Sequence, residues 1–195
     1  TMSEAELHFL KARMRGGQLT KAKRGELKMP LPVGLIYNSK DEPILDPDKQ
    51  VQSTISLFFE TFRRTGSACA TVKEFQRQGI LFPRKIRKGI NKGDLVWGDL
   101  VHSRSLQVLH NPRYAGAFFY GREKGKKNID GSYSKQKLPQ SEWFSLHQGA
   151  HEGYISWEEF QQNQARLLET SKLMSPHRGS SPPREGCALL QGRVL

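Results

Sequence analysis

The stretch Leu106–Gly121, LQVLHNPRYAGAFFYG, carries the reading of the fold. Leu106 and Leu109 lie one helical turn apart and face the same side. Asn111 precedes Pro112, and the proline ring drives the residue before it out of the helical region. Arg113 and Tyr114 follow the break. Gly116 then opens Phe118-Phe119-Tyr120, an aromatic run suited to a strand. The pattern predicts a helix, a sharp turn and a strand that close one corner of a core.

Upstream of this corner lies the densest basic cluster of the chain, RKIRKGINK at positions 84–92. Arg84, Lys85, Arg87, Lys88 and Lys92 are cationic, no acid interrupts them, and Gly89 and Gly93 leave the segment free to bend. It reads as a basic loop suited to phosphate contact, against the plainer reading of a solvated loop. Trp97, Leu100, Ser103 and Arg104 lead from it into the helix. Downstream, Arg122, Lys124, Lys126 and Lys127 precede a turn signal at Asp130-Gly131. Lys135 and Lys137 lead to Glu142-Trp143-Phe144, read as a strand. A basic hairpin here resembles a wing set beside helices.

Further upstream, Val51, Ile55, Phe58, Phe59 and Phe62 recur at helical spacing and predict a core-facing helix, with Asp46 as its cap, Pro47 in its first turn and Gly66 as its stop. Ser67 is expected to cap a second helix carrying Ala68, Val72 and Phe75, ended by Gly79. Ile80, Leu81 and Phe82 continue in extended form. Two helices joined at Thr65-Gly66 suit a helix-turn-helix, a common pattern and weak evidence alone. Before them, Met29–Leu45 reads as a small hairpin, because Pro30 and Pro32 forbid helix and Val33, Leu35 and Tyr37 alternate.

The chain opens with a capping box, Ser3 with Glu6, and a helix whose Leu7, Leu10 and Met14 share a face. Arg13 and Arg15 lie off that stripe. Gly16-Gly17 is expected to end or bend the helix. Lys21, Lys23, Arg24 and Lys28 then form a basic arm, either a solvated linker or a segment that lies along a DNA groove. Near the other end, Ser156 and Glu159 predict a second capping box before a helix supported by Trp157, Phe160, Ala165 and Leu168. Residues 171–186 lose periodicity and read as a linker, and Cys187 starts a short apolar run.

Composition narrows the function classes. The 195 residues hold 31 Lys and Arg against 19 Asp and Glu, a net charge of +12. The pI is about 9.9 and the mean hydropathy −0.64. Such a charge calls for a polyanionic partner. No run of apolar residues is long enough to span a membrane, and no secretory signal opens the chain. Cys69 and Cys187 cannot build a disulfide framework, so a reducing, cytoplasmic setting is expected. His147 and His151 are spaced four apart, but no third ligand completes a metal set and Gly149 lies between them. No G-x-S-x-G, Walker loop or convergent catalytic group is present, so no catalytic residue and no cofactor are assigned.

The separated blocks together resemble a known family. MSEAELHFLKARMRGGQLTKAKRGEL, LPVGLIY, DPDKQVQSTISLFFETFRRTGSACATVKEFQRQGI, HNPRYAGAFFYGR, HEGYISWEEFQQNQARL and PREGCALLQGRVL look like a large serine recombinase, in the order that family uses. The spacing ΦxxΦxNPxYxG of the opening stretch is similar to a signature of its recombinase domain. The resemblance implies an α+β fold: a mainly helical DNA-binding domain with short antiparallel hairpins and a protruding N-terminal helix. Residues 1–28 would be the end of the connecting helix and the basic arm, 29–170 the recombinase domain, and 171–195 a linker leading toward a zinc ribbon. Zinc is expected only in that ribbon of the parent protein, whose catalytic serine is likewise expected outside this chain.

What the resemblance implies is site-specific recombination at an attachment or element-end site, for integration, excision or inversion, by a parent acting as a dimer or tetramer on double-stranded DNA. The candidate DNA-binding residues are Arg13, Arg15, Lys21, Lys23, Arg24, Lys28, Arg84, Lys85, Arg87, Lys88, Lys92, Arg104, Arg113, Arg122 and Lys124. The chain is expected to bind duplex DNA without cleaving it. The alternatives are a free-standing helix-turn-helix regulator and an RNA-binding basic protein.

Overall fold

The computed structural model describes residues 3–86, 89–91, 93–127 and 131–173. Helix α1 spans Glu4–Arg24, and strands β1 (Leu35–Tyr37) and β2 (Pro43–Leu45) form an antiparallel hairpin. Helices α2 (Lys49–Thr65) and α3 (Ala68–Arg77) follow, then a second hairpin of β3 (Phe82–Lys85) and β4 (Leu95–Gly98). Helix α4 (His102–Leu109) leads through a 3-10 turn at Pro112–Ala115 into β5 (Phe118–Tyr120). Strands β6 (Glu123–Lys127) and β7 (Tyr133–Lys137) pair with each other, β8 (Ser145–His147) pairs back with β5, and α5 (Trp157–Leu173) is the last described helix. The α+β class expected from the sequence is the one observed.

The core forms where the helical spacing places it. Val51, Ile55, Phe58, Phe59 and Phe62 of α2 are buried against Val72 and Phe75 of α3, Val108 and Leu109 of α4, and Phe160 of α5. The ring of Phe58 meets Phe59, Phe75 and Phe82 edge-on, with centroids 5.3, 6.1 and 5.5 Å away. Edge-to-face packing of this kind places a ring's positive rim on its neighbour's negative face.

The corner at Asn111-Pro112 closes this core as expected. The Asn111 side chain accepts from the Arg113 amide, at 3.2 Å, and Gly116 takes the left-handed conformation at φ 70°. A Cβ at Gly116 would lie 2.3 Å from the His151 carbonyl oxygen, so backbone packs where a side chain cannot fit. Tyr114 is fully buried and its hydroxyl donates to the Val33 carbonyl at 2.9 Å. Tyr154 does the same to Gly34 at 2.8 Å. These two phenols pin the 29–34 segment across the core, and burial raises both their pKa values.

Several local expectations are corrected. Gly16-Gly17 does not end α1. The helix runs on to Arg24 and stops at Gly25, φ 80°, where the Glu26 amide donates to Lys21 O. Interior glycines cost a helix about 1 kcal/mol each without ending it, and here the left-handed Gly25 turns the chain out of α1. The cap of α2 is Asp48, whose carboxylate accepts from the Gln50 and Val51 amides at 2.8 and 3.4 Å; Asp46 instead accepts from the Asp48 amide. Ser67 occupies the cap position of α3 without a side-chain capping bond.

Ser156 does cap α5, taking the Glu159 amide at 3.1 Å, but the Glu159 carboxylate pairs with Arg63 of α2 at 2.8 Å instead of returning to the cap. Ala165 and Leu168 face solvent, and Leu167 supplies the core contact. Glu142 lies in a 3-10 turn, and the strand in that region is Ser145–His147. Of the stretch read as a linker, 171–173 belong to α5, and residues from 174 on, Cys187 included, lie outside the described residues.

Candidate nucleic-acid interface

The first basic group lies on helix, not on a flexible arm. Arg13, Arg15, Lys21, Lys23 and Arg24 are exposed on α1, of which only Ala22 is buried. The C-terminal end of α1 is held by His147, whose Nε2 is 2.9 Å from Lys23 O. Lys28 follows the helix, ion-pairs with Asp41 at the β1–β2 turn and lies over the Tyr37 ring. The basic residues of α1 therefore leave the domain along a defined axis, and the irregular connection begins at Gly25.

The described members of the second group, Arg84 and Lys85, lie on a strand of a hairpin. Arg84 and Lys85 belong to β3, and Arg84 pairs with Val96 and Lys85 with Leu95 across to β4. Arg84 is exposed, whereas Lys85 turns inward and donates from Nζ to Leu35 O at 3.0 Å. Burial pulls the Lys85 pKa down, with partial compensation from Asp46. Arg87, Lys88 and Lys92 lie outside the described residues.

The third group surrounds the corner. Arg113 is 5% exposed and donates through Nη1 to Pro30 O at 2.6 Å. Its guanidinium also lies 5.4 Å from the Phe119 ring centroid. Arg113 thus ties the 29–34 segment to the corner from a largely buried position, and burial lowers its pKa. Arg122 is partly exposed, donates to His110 O at 2.9 Å and faces the same Phe119 ring. Arg104 is partly buried on α4, with Gln107 Oε1 3.4 Å from its Nη1.

Lys124 is exposed on the β6–β7 hairpin, which stands clear of the core. Register places Lys124 opposite Gln136 and Lys126 opposite Ser134, so one face of this ribbon is basic and polar without an acid. The turn at Asp130 falls outside the described residues. On α3, by contrast, Arg77 binds Glu74 at 2.8 Å, and Arg64 approaches the same carboxylate at 3.4 Å. Hydrogen bonds from Arg77 and Gln78 hold the Glu74 pKa down at about 2. These two arginines are thus already matched by a carboxylate.

Between the second and third groups opens a cavity of about 590 Å³. The 29–33 segment forms one wall, Lys85, Ile86 and Gly93 a second, and Arg104, Gln107, Asn111, Arg113 and Phe119 the rest. Three candidate cations thus share one concavity. Gln107 was not singled out in the sequence, and Asn111 only as the residue before the Pro112 break; nothing in local periodicity marks a polar residue as the wall of a cavity whose other side is distant in the chain. His147 and His151 each engage a backbone carbonyl, of Lys23 and Glu152, and among the described residues no group of three or more ligand-type side chains is assembled. No described helix is long and apolar enough to cross a membrane.

The sequence profile of the Recombinase family matches residues 49–170, from the first turn of α2 through most of α5. The chain belongs to the Recombinase family. A relative from Sinorhizobium fredii (strain NBRC 101917 / NGR234), the protein y4bA/y4pH, is 53% identical over 195 residues, all of this chain and 28% of the relative. This recombinase chain thus spans little more than a quarter of that relative's length. Among solved structures it is similar to the protein of an LSR–DNA complex, with TM-score 0.48 and 17% identity over 91% of this chain and 42% of that one. It is also similar to a chain solved in a study of the sequence requirements of the Listeria innocua prophage attP site, with TM-score 0.46 and 18% identity over 91% and 58%.

Proposed function

We propose that this chain is the DNA-recognition part of a site-specific serine recombinase, binding the duplex at an attachment or element-end site. The observation that carries the reading is a Recombinase match over residues 49–170 together with exposed candidate cations on three separate elements, α1 ahead of the matched region and β3 and the β6–β7 ribbon within it. Phosphate contacts from several elements fix register on a duplex, and base edges are read from elements so positioned. The basic face of α1 supplies one line of charge and the ribbon another, and a two-stranded ribbon is narrow enough for a major groove. In this reading the chain recognises and positions DNA, while phosphoserine chemistry and a zinc ribbon belong to other parts of the parent, which assembles as a dimer or tetramer on its site.

The test pairs native and denaturing gels. The chain is incubated with a duplex carrying the DNA that flanks its own coding sequence. The expected result is a retarded band on the native gel and unmodified, uncut strands on the denaturing gel. A covalent protein–DNA band overturns the assignment to recognition alone, and the absence of any retarded band overturns DNA binding.

A further inference from the structure

We infer that the cavity between the 29–33 segment, β3 and α4 is a binding site for one sugar–phosphate unit, with the phosphate held by Lys85, Arg104 and Arg113. The inference rests on the DNA-binding reading for the source of that unit, but the cavity's chemistry stands on its own. Lys85 is partly withdrawn from water and Arg113 is buried; among the described residues neither has a carboxylate within ion-pair distance, and Asp46 acts on Lys85 only from farther away. Each instead donates to a main-chain carbonyl, Leu35 O or Pro30 O. A carbonyl satisfies a donor but does not neutralise a charge, and buried charges are ordinarily paired. Both groups have pKa values lowered by burial, so an entering anion stabilises their charged forms.

Size and walls decide what carries the anion. Among the described residues no Asp or Glu lines the cavity, and its walls are largely apolar: Met29, Leu31, Val33, Ile86, Val108 and Phe119. A volume of 590 Å³ is within the range of small-molecule sites and amounts to on the order of twenty water volumes. A bare inorganic anion leaves most of that space empty. A phosphate with its sugar takes up more of it, placing charge on the cations and the sugar's apolar edge on the walls. Gln107 and Asn111 add neutral polar groups at the same wall. Of the exposed neighbours, Arg84 on β3 is cationic, whereas Lys28 is paired with Asp41 and Asp94 beside Gly93 is acidic.

The same chemistry can come from a DNA strand or from a free mononucleotide, and the experiment separates them. The full chain is titrated with duplex DNA, dAMP, deoxyadenosine and glutamate, while the backbone amide resonances of Leu31, Ile86, Gly93 and Gln107 are followed by NMR. Lys85→Gln and Arg104→Gln are compared with wild type after circular dichroism confirms their fold. The expected result is that duplex or dAMP shifts these amides, deoxyadenosine and glutamate do not at equal concentration, and each variant weakens the effect about ten-fold through loss of a charged hydrogen bond.

Shifts with the duplex alone assign the site to a strand within DNA; shifts with dAMP as well show that a free nucleotide suffices. Equal shifts with glutamate overturn the phosphate assignment. Unmoved amides with both duplex and dAMP, or an undiminished response in both variants, overturn the site. A duplex retarded on gels with these amides unmoved defeats only the cavity; dAMP shifts without duplex retardation defeat only the DNA reading.

Discussion

Helices α1 and α2 are of similar length, 21 and 17 residues, and are used in opposite ways. Helix α2 buries Val51, Thr54, Ile55, Phe58, Phe59, Thr61 and Phe62, whereas α1 buries only Ala22. Phe9 and Met14 of α1 are 73% and 60% exposed. A helix of the first kind is held by the core it helps to form. A helix of the second kind persists through its own ends, the Ser3–Glu6 capping box and the Gly25 turn, together with an anchor at Ala22 and His147. The difference teaches that α2 is shaped by packing against the rest of this chain, whereas α1 beyond Ala22 is not shaped by packing within the described residues.

The sharpest way to break the comparison is to remove a ring from α2. Phe62→Ala is expected to cost about 3–5 kcal/mol, because the side chain is fully buried and the aromatic cluster around it cannot collapse into the space. Denaturant unfolding measures it, and stability equal to wild type would place Phe62 outside the core. A smaller effect is expected at the helix start. Asp48→Ala removes the carboxylate that takes the Gln50 and Val51 amides and should cost about 1 kcal/mol, whereas Asp46→Ala should cost less. Equal losses at both positions would contradict the cap assignment. The smallest effect is expected on α1. Leu10→Ala, at a side chain 47% exposed, should change unfolding stability by no more than about 0.5 kcal/mol. A loss comparable to that of Phe62→Ala would mean that α1 packs on the core after all.

The same contrast explains what was legible in the sequence. The face of α2 could be read from Phe58, Phe59 and Phe62, because a buried helix writes its period in apolar residues. The corner at Asn111-Pro112 was equally readable, since proline acts locally. The end of α1 was not. Gly16-Gly17 has the composition of a stop, but both glycines stay helical, and of Gly16, Gly17 and Gly25 it is Gly25 that takes the positive φ of the left-handed cap. In α5, Leu167 and Leu168 are adjacent, and the choice of which faces the core belongs to packing. The β3–β4 hairpin escaped notice because its strands are separated by a charged segment without a two-residue turn signal.

At the candidate interface, charge was legible and burial was not. Arg113 reads as one more cation in a basic chain. Its withdrawal from the surface depends on Pro30, 83 positions away. Lys85 likewise turns inward to Leu35, 50 positions away. Arg84 and Lys85 are neighbours in one basic cluster, and the alternation of strand β3 sends one outward and the other toward the cavity. A strand within the cluster separates roles that composition alone merges.

The central claim, that the exposed basic elements recognise duplex DNA, is tested most directly by salt-dependent binding. Affinity is measured across a salt series for a duplex carrying the flanking DNA, a scrambled duplex of equal composition and a structured RNA, with wild type, Arg24→Ala and Lys124→Ala. The account predicts tightest binding to the flanking duplex, an affinity that falls steeply with salt, and a log–log slope smaller by about one unit in each variant. Equal affinity for the RNA and both duplexes, or a slope unchanged in both variants, would contradict it.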